Sequence, residues 1–552
     1  MQHTKRILGF TALMIATFLG TLDNTIVNIA LPDITSFFKT SINDTSWIST
    51  IYVLSVSVFM ITASKAADQF GRKKLMLIGL SLFGVSSLLC SVAESLLSLI
   101  VLRFVQGIGA AIITPIGLPM GLEILGKDRR QFVVSAAGAI ISIAAASGPP
   151  LGGLLVQLWG WQSIFFVNVP FCIIAIVLSI FFVKESYDTT VSKSIDWAGM
   201  LLLTISLFSL TFALLKGSSF GWDSVLTLSL FIGAIVTMGF FLLIERQVSN
   251  PMLELKLFRE STFTASSICY MMVGFGITST MLIFNYFLED FLGYGTLKAA
   301  FIIITISLTS AVSVPVGSII AKHIGTRTVN FLGVFLMGVG VIMLSCLNIH
   351  TTKIEMIAAL VVFGIGLGFA GQAIASAIKF LPQEKSGIAS GVINAFRQIG
   401  TCMGVAVLVS VLGINMTTAV SYIKSTVIAD ISQQAAIDEY SKSELLQKIK
   451  NLSGTNQLSA SDIQMIIEDD TKNTLQSVPV SGQPEALKRI KEEQTAIHAV
   501  VQNVKNQEGN EVARAFSKTF LLSGFVLLSM SVFGIFTDRK NKPSESPFGM
   551  QQ

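Results

Sequence analysis

Charged residues are scarce in this sequence. Only 13% of its 552 residues are Asp, Glu, Lys or Arg, whereas soluble domains average roughly 25%. Hydrophobic residues make up 52% of the chain, and the mean hydropathy is +0.71. This balance excludes an ordinary soluble domain and indicates a protein that crosses a membrane many times.

Histidine and cysteine are also rare, which weakens several catalytic hypotheses. The four His and five Cys stand singly, without C-x-x-C, H-E-x-x-H or another metal-binding spacing. No G-x-x-x-x-G-K-[ST] phosphate loop and no nucleophile–base pair occur. We therefore expect a protein that is not an enzyme, uses no metal or other cofactor, and is not driven by ATP. The modest net charge of +5 gives no reason to expect a nucleic-acid partner.

Fourteen stretches are long and apolar enough to span a bilayer, which needs roughly 20 apolar residues. The first runs from 7 to 31, the thirteenth from 386 to 414 and the fourteenth from 516 to 537. The first stretch looks like a signal peptide because Lys5 and Arg6 precede it, but no small-x-small cleavage site follows. We interpret it as an uncleaved first span.

Basic residues are concentrated in one set of the short connections between spans. Because cytoplasmic connections carry an excess of Lys and Arg, this set is predicted to be cytoplasmic. An even number of spans then places both termini in the cytoplasm as well. The basic connections are 65–74, 126–130, 256–260, 322–327 and 538–542.

A long polar segment, 415–515, separates the last two spans. The span count places it outside the cytoplasm. Apolar residues at helical spacing in 441–452 and 484–507 predict short amphipathic helices. This loop is a candidate contact for a partner or substrate.

Two similar segments indicate an internal repeat. ASKAADQFGRKK (63–74) and GSIIAKHIGTRTVN (317–330) both place a small residue, an apolar pair, a Gly and then a basic residue after a span. Transporters are often built from repeated halves. The predicted organisation is therefore two six-helix bundles, an inserted transmembrane helix pair and an extracytoplasmic loop: 1–190 for the first bundle, 191–250 for the pair, 251–414 with 516–540 for the second bundle, and 415–515 for the loop.

An acidic residue interrupts the first span. Asp23 lies in FLGTLDNTIVNIALPDI (18–34), where an ionised carboxylate costs a few kcal/mol or more. Asn24, Thr25 and Asn28 extend its polar face. A buried carboxyl can bind and release a proton, so we assign Asp23 to proton coupling and Asn24 and Asn28 to a substrate cavity. A helix-packing role for Asp23 is the alternative.

Arg103 in VLRFVQGIGAA lies inside the fourth span, and Gln106 follows on the same face. An Arg within a span normally faces a cavity or a partner. We therefore assign Gln106 to the cavity and expect Arg103 to face the same cavity or a partner; the resemblance described below adds a role in proton coupling for Arg103. Snorkelling of Arg103 to the nearer membrane face is the alternative.

Polar residues in the second half extend the predicted cavity. Three of them lie within two turns of span thirteen, and two acids end the segment FNYFLEDFLGYG near the predicted outer mouth. For the two acids, simple interfacial placement is equally open. The five residues are Asn394, Arg397, Gln398, Glu289 and Asp290.

The turn DQFGRKK predicts a conformational latch. Gly71 permits a tight turn, and Asp68, Arg72 and Lys73 can pair with one another or cap helix ends. Ordinary membrane anchoring by cations is the alternative. Glu123, at the same side of the membrane, is expected to be a surface residue.

The segment AAASGPPLGG (144–153) predicts a gating kink in the fifth span. Pro residues remove backbone donors and bend helices, and Gly residues let another helix approach closely. We place this kink at the interface between the two halves; a simple packing kink is the alternative. Its residues are Gly148, Pro149, Pro150, Gly152 and Gly153.

Together these segments resemble the major facilitator superfamily. ADQFGRKKLMLIG resembles its loop signature, LRFVQGIGAA its fourth-span Arg motif and GPPLGG its antiporter motif. LDNTIVNIALPDI and WQSIFFVNVP (161–170) resemble more specifically the fourteen-span drug:proton antiporters, which include bacterial multidrug exporters. Ser64 stands where the loop signature usually begins with Gly, and 415–515 exceeds the usual short connection.

The resemblance covers nearly all of 1–414 and 516–537. It implies an all-α major facilitator fold with fourteen transmembrane helices, in a bacterial cytoplasmic membrane. It also implies alternating access and export of amphiphilic, cationic drugs or biocides, with the proton gradient as the energy source. Asp23 matches the first-span acid of the subfamily, Arg103 the Arg of proton handling and Pro149 the antiporter-motif proline.

Two other functions stay open. The same fold could export or flip a lipid, a fatty acid or another endogenous amphiphile, or the chain could be a membrane enzyme or receptor with a loop sensor. Under the drug-export hypothesis, Asp23→Asn is expected to abolish proton-driven efflux and to leave the fold intact.

Overall fold

Fourteen long apolar helices dominate the computed structural model, which describes residues 2–187, 196–248, 251–349, 351–381, 385–433, 507 and 509–538. Across these ranges the chain forms helices and turns without a β-strand, so the predicted all-α class and the number of spans are confirmed. The helices are α1 His3–Phe38, α2 Trp47–Phe70, α3 Arg72–Ser91, α4 Leu96–Leu125, α5 Phe132–Trp159, α6 Ser163–Phe182, α7 Trp197–Phe220, α8 Val225–Glu245, α9 Ser261–Glu289, α10 Leu297–Ile324, α11 Thr326–Ser345, α12 Lys353–Ala377, α13 Ser386–Ser432 and α14 Gly509–Phe536.

The last two helices are longer than the apolar stretches that predicted them. α13 has 47 residues and passes position 414, and α14 begins at Gly509 rather than at 516. Both ends of the polar segment 415–515 therefore continue transmembrane helices. The predicted amphipathic helix 441–452 and nearly all of 484–507 lie outside the described residues.

Glycines with positive φ end five of the helices. They follow directly after α2, α4, α5, α7 and α10, with φ between 78° and 113°. Only glycine adopts such angles without a steric penalty from Cβ, so these positions stop the helices sharply. The five are Gly71, Gly126, Gly160, Gly221 and Gly325.

The two repeated segments form equivalent turns. Gly71, with φ of 113°, joins α2 to α3, and Gly325, with φ of 87°, joins α10 to α11. Each following helix is also tied to an acid that comes shortly after a later helix of the same half. Glu185, after α6, accepts hydrogen bonds from the first turn of α3, and Asp538, after α14, accepts one from Thr326 at the start of α11.

Contacts divide the chain into two units. The first comprises Met1–Met343, Lys353–Val409 and Leu522–Gln552, and it contains all the residues that the sequence assigns to function. The second comprises Leu344–Thr352 and Ser410–Leu521. Within the second unit, the amide of Asn415 donates to Thr519 Oγ1 at 3.3 Å and so joins α13 to α14.

Two apolar clusters hold α1–α6 together in the first unit. One surrounds Leu19 and Phe83, and the other surrounds Ile26 and Phe165. Asp23 comes between Leu19 and Ile26 on α1, so this acid lies between the two clusters. Helix α5 also contacts α10 of the second half, where the hydroxyls of Ser142 and Ser310 are 3.0 Å apart.

Candidate functional site: a buried ion pair and a latch

A buried ion pair joins α1 to α4. Arg103 Nη1 lies 2.5 Å from Asp23 Oδ2, and the two side chains are 1% and 0% exposed. Such a pair needs close geometry and additional hydrogen bonds to offset the loss of hydration of both charges. Because the pair lies between two apolar transmembrane helices, its stability depends on such additional hydrogen bonds.

Two amides complete the hydrogen bonding of the Asp23 carboxylate. Gln106 Nε2 donates to Asp23 Oδ1 at 2.8 Å, and Asn168 Nδ2 donates to the same oxygen at 2.9 Å. Gln106 also accepts from Arg103 at 2.8 Å and donates to Ser87 Oγ at 2.6 Å. Both carboxylate oxygens therefore accept hydrogen bonds from helices α4 and α6, as an ionised acid requires.

Arg103 is enclosed by aromatic and backbone groups. Its guanidinium carbon lies 4.1 Å from the centroid of the Tyr52 ring and 5.7 Å from that of Phe165. Its Nε donates to the carbonyl oxygen of Ile48 at 3.3 Å. Cation–π contacts gain strength when they are desolvated, so these groups help to keep the cation inside the bundle rather than at a membrane face.

The cluster offers a simple chemistry. The Asp23 carboxylate can take up a proton only if it gives up its charge, and Arg103 then loses the anion that neutralises it. Protonation of Asp23 and rearrangement of Arg103 would therefore be coupled by electrostatics. Gln106, which the sequence assigns to the substrate cavity, is fully buried here and takes part in this cluster.

The glycine-rich segment of α5 packs beside the same part of α1. A Cβ on Gly148 would overlap Thr25 Oγ1 and lie 2.8 Å from Thr25 Cβ, and a Cβ on Gly152 would lie 2.9 Å from Ile26 Cγ1. Gly148 and Gly152 thus face α1 within the first bundle. Gly153 faces α10, 3.7 Å from Leu297. The helix continues through Pro149 and Pro150.

The remaining residues assigned to the cavity lie in different surroundings. Asn24 is half-buried, Asn28 is exposed and accepts from Ser49 at 3.0 Å, and Asn394 donates to its own helix at Ser390. Gln398 is buried in α13. Glu289 is half-buried in a π-helical segment, Phe287–Phe291; the side chain of Asp290, in the same segment, lies outside the described part of the chain.

Arg397 differs from these neighbours because it keeps an unused donor. The side chain is half-buried, with its guanidinium carbon 6.0 Å from the centroid of the Tyr270 ring. Its Nε is buried and finds no acceptor among the described residues. A buried donor without an acceptor costs roughly 1–3 kcal/mol, so Arg397 is the residue of this set most ready to bind an acceptor on a ligand.

The predicted latch residues form a second ion cluster at the far end of α2. Arg72 Nε lies 2.8 Å from Asp68 Oδ1, and Arg72 Nη1 also pairs with Glu123 of α4. Asp68 and Arg72 are buried. Glu123 is exposed, as the sequence predicts for a surface residue, and in addition it pairs with Arg72.

Glu185 holds the turn around Gly71. Its carboxylate accepts from the backbone N–H groups of Lys73 at 2.9 Å and Lys74 at 3.1 Å, at the positive end of the α3 dipole. Lys73 Nζ donates to the carbonyl oxygen of Ile180 at 2.8 Å. A Cβ on Gly71 would lie 2.7–2.9 Å from the Glu185 carboxylate, so this position requires glycine for its space as well as for its φ.

The same end of the first bundle contacts α13, α12 and the chain that follows α12. Ser64 Oγ donates to the carbonyl oxygen of Gly387 at 2.6 Å, and a Cβ on Gly387 would overlap the Asp68 carboxylate. Arg130, just before α5, donates to the carbonyl oxygen of Ala375 at 3.1 Å. Burial lowers the pKa of Arg130 to about 10, so it stays charged at neutral pH. We name this region, around Arg72, Arg130 and Gly387, the latch end; here the two halves are in contact.

Sequence reasoning missed four partners in these clusters. Asn168 and Ser87 belong to the Asp23 cluster, and Glu185 and Glu123 belong to the latch. Asn168 stands in the quoted segment WQSIFFVNVP, where an amide in an apolar helix was an available signal. Among the described residues, no group of three or more His, Cys, Asp or Glu comes together as a metal site.

Comparison with known sequences identifies relatives over most of the chain. Multidrug resistance protein Stp of Mycobacterium tuberculosis is 33% identical over 418 residues, which cover 74% of this chain and 76% of the relative. Multidrug transporter protein MdtP of Bacillus subtilis is 28% identical with the same shares. Riboflavin transporter RibZ of Clostridioides difficile is 28% identical over 408 residues, 73% of this chain and 87% of the relative.

A family model gives the broader assignment. The model described as Major Facilitator Superfamily matches residues 13–405, which include Asp23, Arg103 and the latch. This match agrees with the all-α structure and its fourteen apolar helices. The chain is therefore a multi-pass membrane protein that belongs to the major facilitator superfamily of transporters.

Proposed function

We propose that this protein is a proton-coupled antiporter that exports hydrophobic, cationic drugs or biocides by alternating access. The observation that carries the proposal is the Asp23–Arg103 pair, buried inside the first bundle with both carboxylate oxygens hydrogen-bonded. An ion pair this isolated from water is a poor stabiliser on its own account. The pair is well suited to proton coupling, in which the Asp23 carboxyl alternates between a charged and a protonated form.

The coupling follows from the charge balance of the cluster. A proton that enters from outside forms an O–H bond on Asp23 and removes its negative charge. Arg103 then loses its counter-charge and keeps only neutral acceptors, Gln106 and the carbonyl oxygen of Ile48, which weakens the packing of α1 against α4. Because Gly148 and Gly152 leave no room between α5 and the next turn of α1, such a change is passed on to α5.

The contacts at the latch end support alternating access. The distribution of basic residues predicts that this end faces the cytoplasm, with both termini there. Relatives from bacteria support a place in a bacterial cytoplasmic membrane. In that orientation the structure has its cytoplasmic end closed, through Ser64, Arg130 and Gly387. Release of Asp23's proton to the cytoplasm then requires these contacts to open.

The names of two relatives support the substrate class. Stp is named a multidrug resistance protein and MdtP a multidrug transporter. The alternative cargo is a lipid, a fatty acid or another endogenous amphiphile. The unused Nε of Arg397 favours a cargo with a hydrogen-bond acceptor, and RibZ is a relative named for transport of the metabolite riboflavin.

Everted membrane vesicles test proton coupling directly. A fluorescent cationic dye should accumulate when the vesicles are energised, and a protonophore should abolish the accumulation. Asp23→Asn should reduce it to background. The matched control is Asp33→Asn, the same change at an exposed position of α1, which should transport normally.

Exchange of labelled and unlabelled dye across proteoliposomes, without a gradient, separates loss of coupling from misfolding. Asp23→Asn should retain this exchange. Gradient-driven accumulation by Asp23→Asn at the wild-type rate and equal protein amount refutes the assignment. Flipping of a labelled lipid in the same liposomes, without dye transport, establishes the alternative cargo instead.

A further inference from the structure

Two carboxyl groups meet at the ends of the inserted helices α7 and α8, away from Asp23. Asp196 is the N-cap of α7, where its Oδ1 accepts from the backbone N–H of Gly199 at 2.8 Å. Glu245 is the last residue of α8, and its Oε1 accepts from the backbone N–H of Leu253. Each carboxyl thus has one oxygen held by the backbone.

The second oxygens of the two carboxyls both lie next to Gly199. A Cβ on Gly199 would overlap Asp196 Oδ2 and lie 3.0 Å from Glu245 Oε2. Both oxygens are buried, and neither finds a hydrogen-bond donor among the described residues. Glu245 as a whole is only 4% exposed. Two carboxylates placed so closely in a buried site repel each other unless one of them carries a proton.

The surrounding charges are balanced by a single proton. Lys65 of α2 is 7% exposed and lines the small cavity whose wall also includes Asp196. Asp68, one turn further along α2, is already paired with Arg72, and Arg246 next to Glu245 is exposed. One cation facing two carboxylates leaves one negative charge, which a proton on the pair neutralises.

Helix geometry decides which carboxyl holds the proton. Asp196 lies at the N-terminus of α7, where the helix dipole stabilises an anion. Glu245 lies at the C-terminus of α8, where the dipole opposes an anion. Glu245 is therefore the acid form, and its Oε2–H group donates to Asp196 Oδ2. This hydrogen bond satisfies both oxygens that otherwise lack a partner.

We propose that Asp196 and Glu245 form a second proton-binding site, distinct from Asp23, that holds the inserted helix pair against α2. The cavity beside it is lined by Lys65, Gln69 and Phe70 of α2 and by Trp197 and Met200 of α7. Loss of the proton places a second negative charge in this contact and weakens it. The site therefore makes the attachment of α7 and α8 to the region beside the latch dependent on pH.

Infrared spectroscopy of the purified full-length protein tests the site without any transport measurement. At neutral pH the wild type should show the C=O stretch of a protonated carboxylic acid. Glu245→Gln and Asp196→Asn should each remove this band, and Asp33→Asn and Asp23→Asn should retain it. Absence of the band from the wild type, or its persistence in Glu245→Gln, overturns the proposal.

Thermal unfolding provides a second readout. The native state holds a proton that the unfolded chain releases at neutral pH, so wild-type stability should fall as pH rises from mildly acidic to alkaline values. Glu245→Gln supplies a permanent N–H donor in place of the O–H and should fold, with part of this pH dependence lost. Asp33→Asn should keep the wild-type profile, and an unchanged profile in Glu245→Gln contradicts the proposal. Because neither measurement involves transport, and Asp23→Asn serves only as a control that should keep the band, the result is independent of the function proposed above.

Discussion

Removing the anion of the Asp23–Arg103 pair alone should cost more stability than removing both charges. Asp23→Asn leaves the cation of Arg103, which is 1% exposed, without its anion inside a transmembrane bundle. Breaking a buried pair in this way costs about 3–5 kcal/mol. The expectation from sequence that Asp23→Asn leaves the fold intact is revised accordingly: the variant should fold with a reduced free energy of unfolding.

Arg103→Gln should be less harmful. It leaves a buried carboxyl, but Gln106 and Asn168 still donate to Asp23 Oδ1, and the acid can become neutral by taking up a proton. In the double variant Asp23→Asn/Arg103→Gln neither charge remains. We therefore expect the double variant to be more stable than Asp23→Asn alone, with a coupling free energy of about 2–3 kcal/mol between the two positions.

A double-mutant cycle in detergent micelles measures this coupling. The free energy of unfolding is determined for the wild type, the two single variants and the double variant, with Asp33→Asn as the exposed control. The control should stay within about 0.5 kcal/mol of the wild type. If the effects of the two single changes add within about 0.5 kcal/mol, the two charges do not stabilise each other and the electrostatic reasoning is refuted.

Two glycines give sharper tests of packing, each with a matched control. Gly148→Ala forces a methyl group into Thr25 and should destabilise the protein by about 1–3 kcal/mol. Gly233→Ala on α8 meets no atom of the described residues within 4 Å, so it should be neutral or slightly stabilising. Equal unfolding temperatures for the two variants would contradict the close contact of α5 with α1. Gly71→Ala and Gly126→Ala both place a side chain at positive φ, at a cost of about 1–2 kcal/mol. Gly71→Ala should lower the unfolding temperature further because its Cβ also meets Glu185, while a Cβ on Gly126 meets none of the atoms that the structure describes. A larger loss for Gly126→Ala would argue against the contact with Glu185.

The number of transmembrane helices could be predicted because length and apolar composition are local properties. The end of α13 could not. Residues 415–432 are too polar to count as a membrane span, yet they continue the helix to Ser432. Hydropathy reports whether a segment prefers the bilayer and not whether it is helical. For a helix that continues past its apolar part, hydropathy therefore predicts an end that is too early.

The charged centre of the site was also predictable, but its partners were not. Asp23 and Arg103 are conspicuous because charged residues are expensive in apolar helices. Asn168 and Ser87 are uncharged, and their contacts connect positions that are 145 and 19 residues away from their partners. Periodicity placed Gln106 on the polar face of α4 correctly, but it could not tell whether that face meets a cavity or the carboxylate of α1.

The acids that follow α6 and α14 have a consequence for the history of the molecule. Glu185 and Asp538 come shortly after equivalent helices. Each accepts a hydrogen bond from the start of a helix that follows a glycine with positive φ. The two acids differ in length and in the groups that they contact, so neither is a copy of the other's interactions. The simplest ancestry is a gene duplication of a half-length chain that already closed its third helix with an acid after its sixth, followed by separate refinement of each copy.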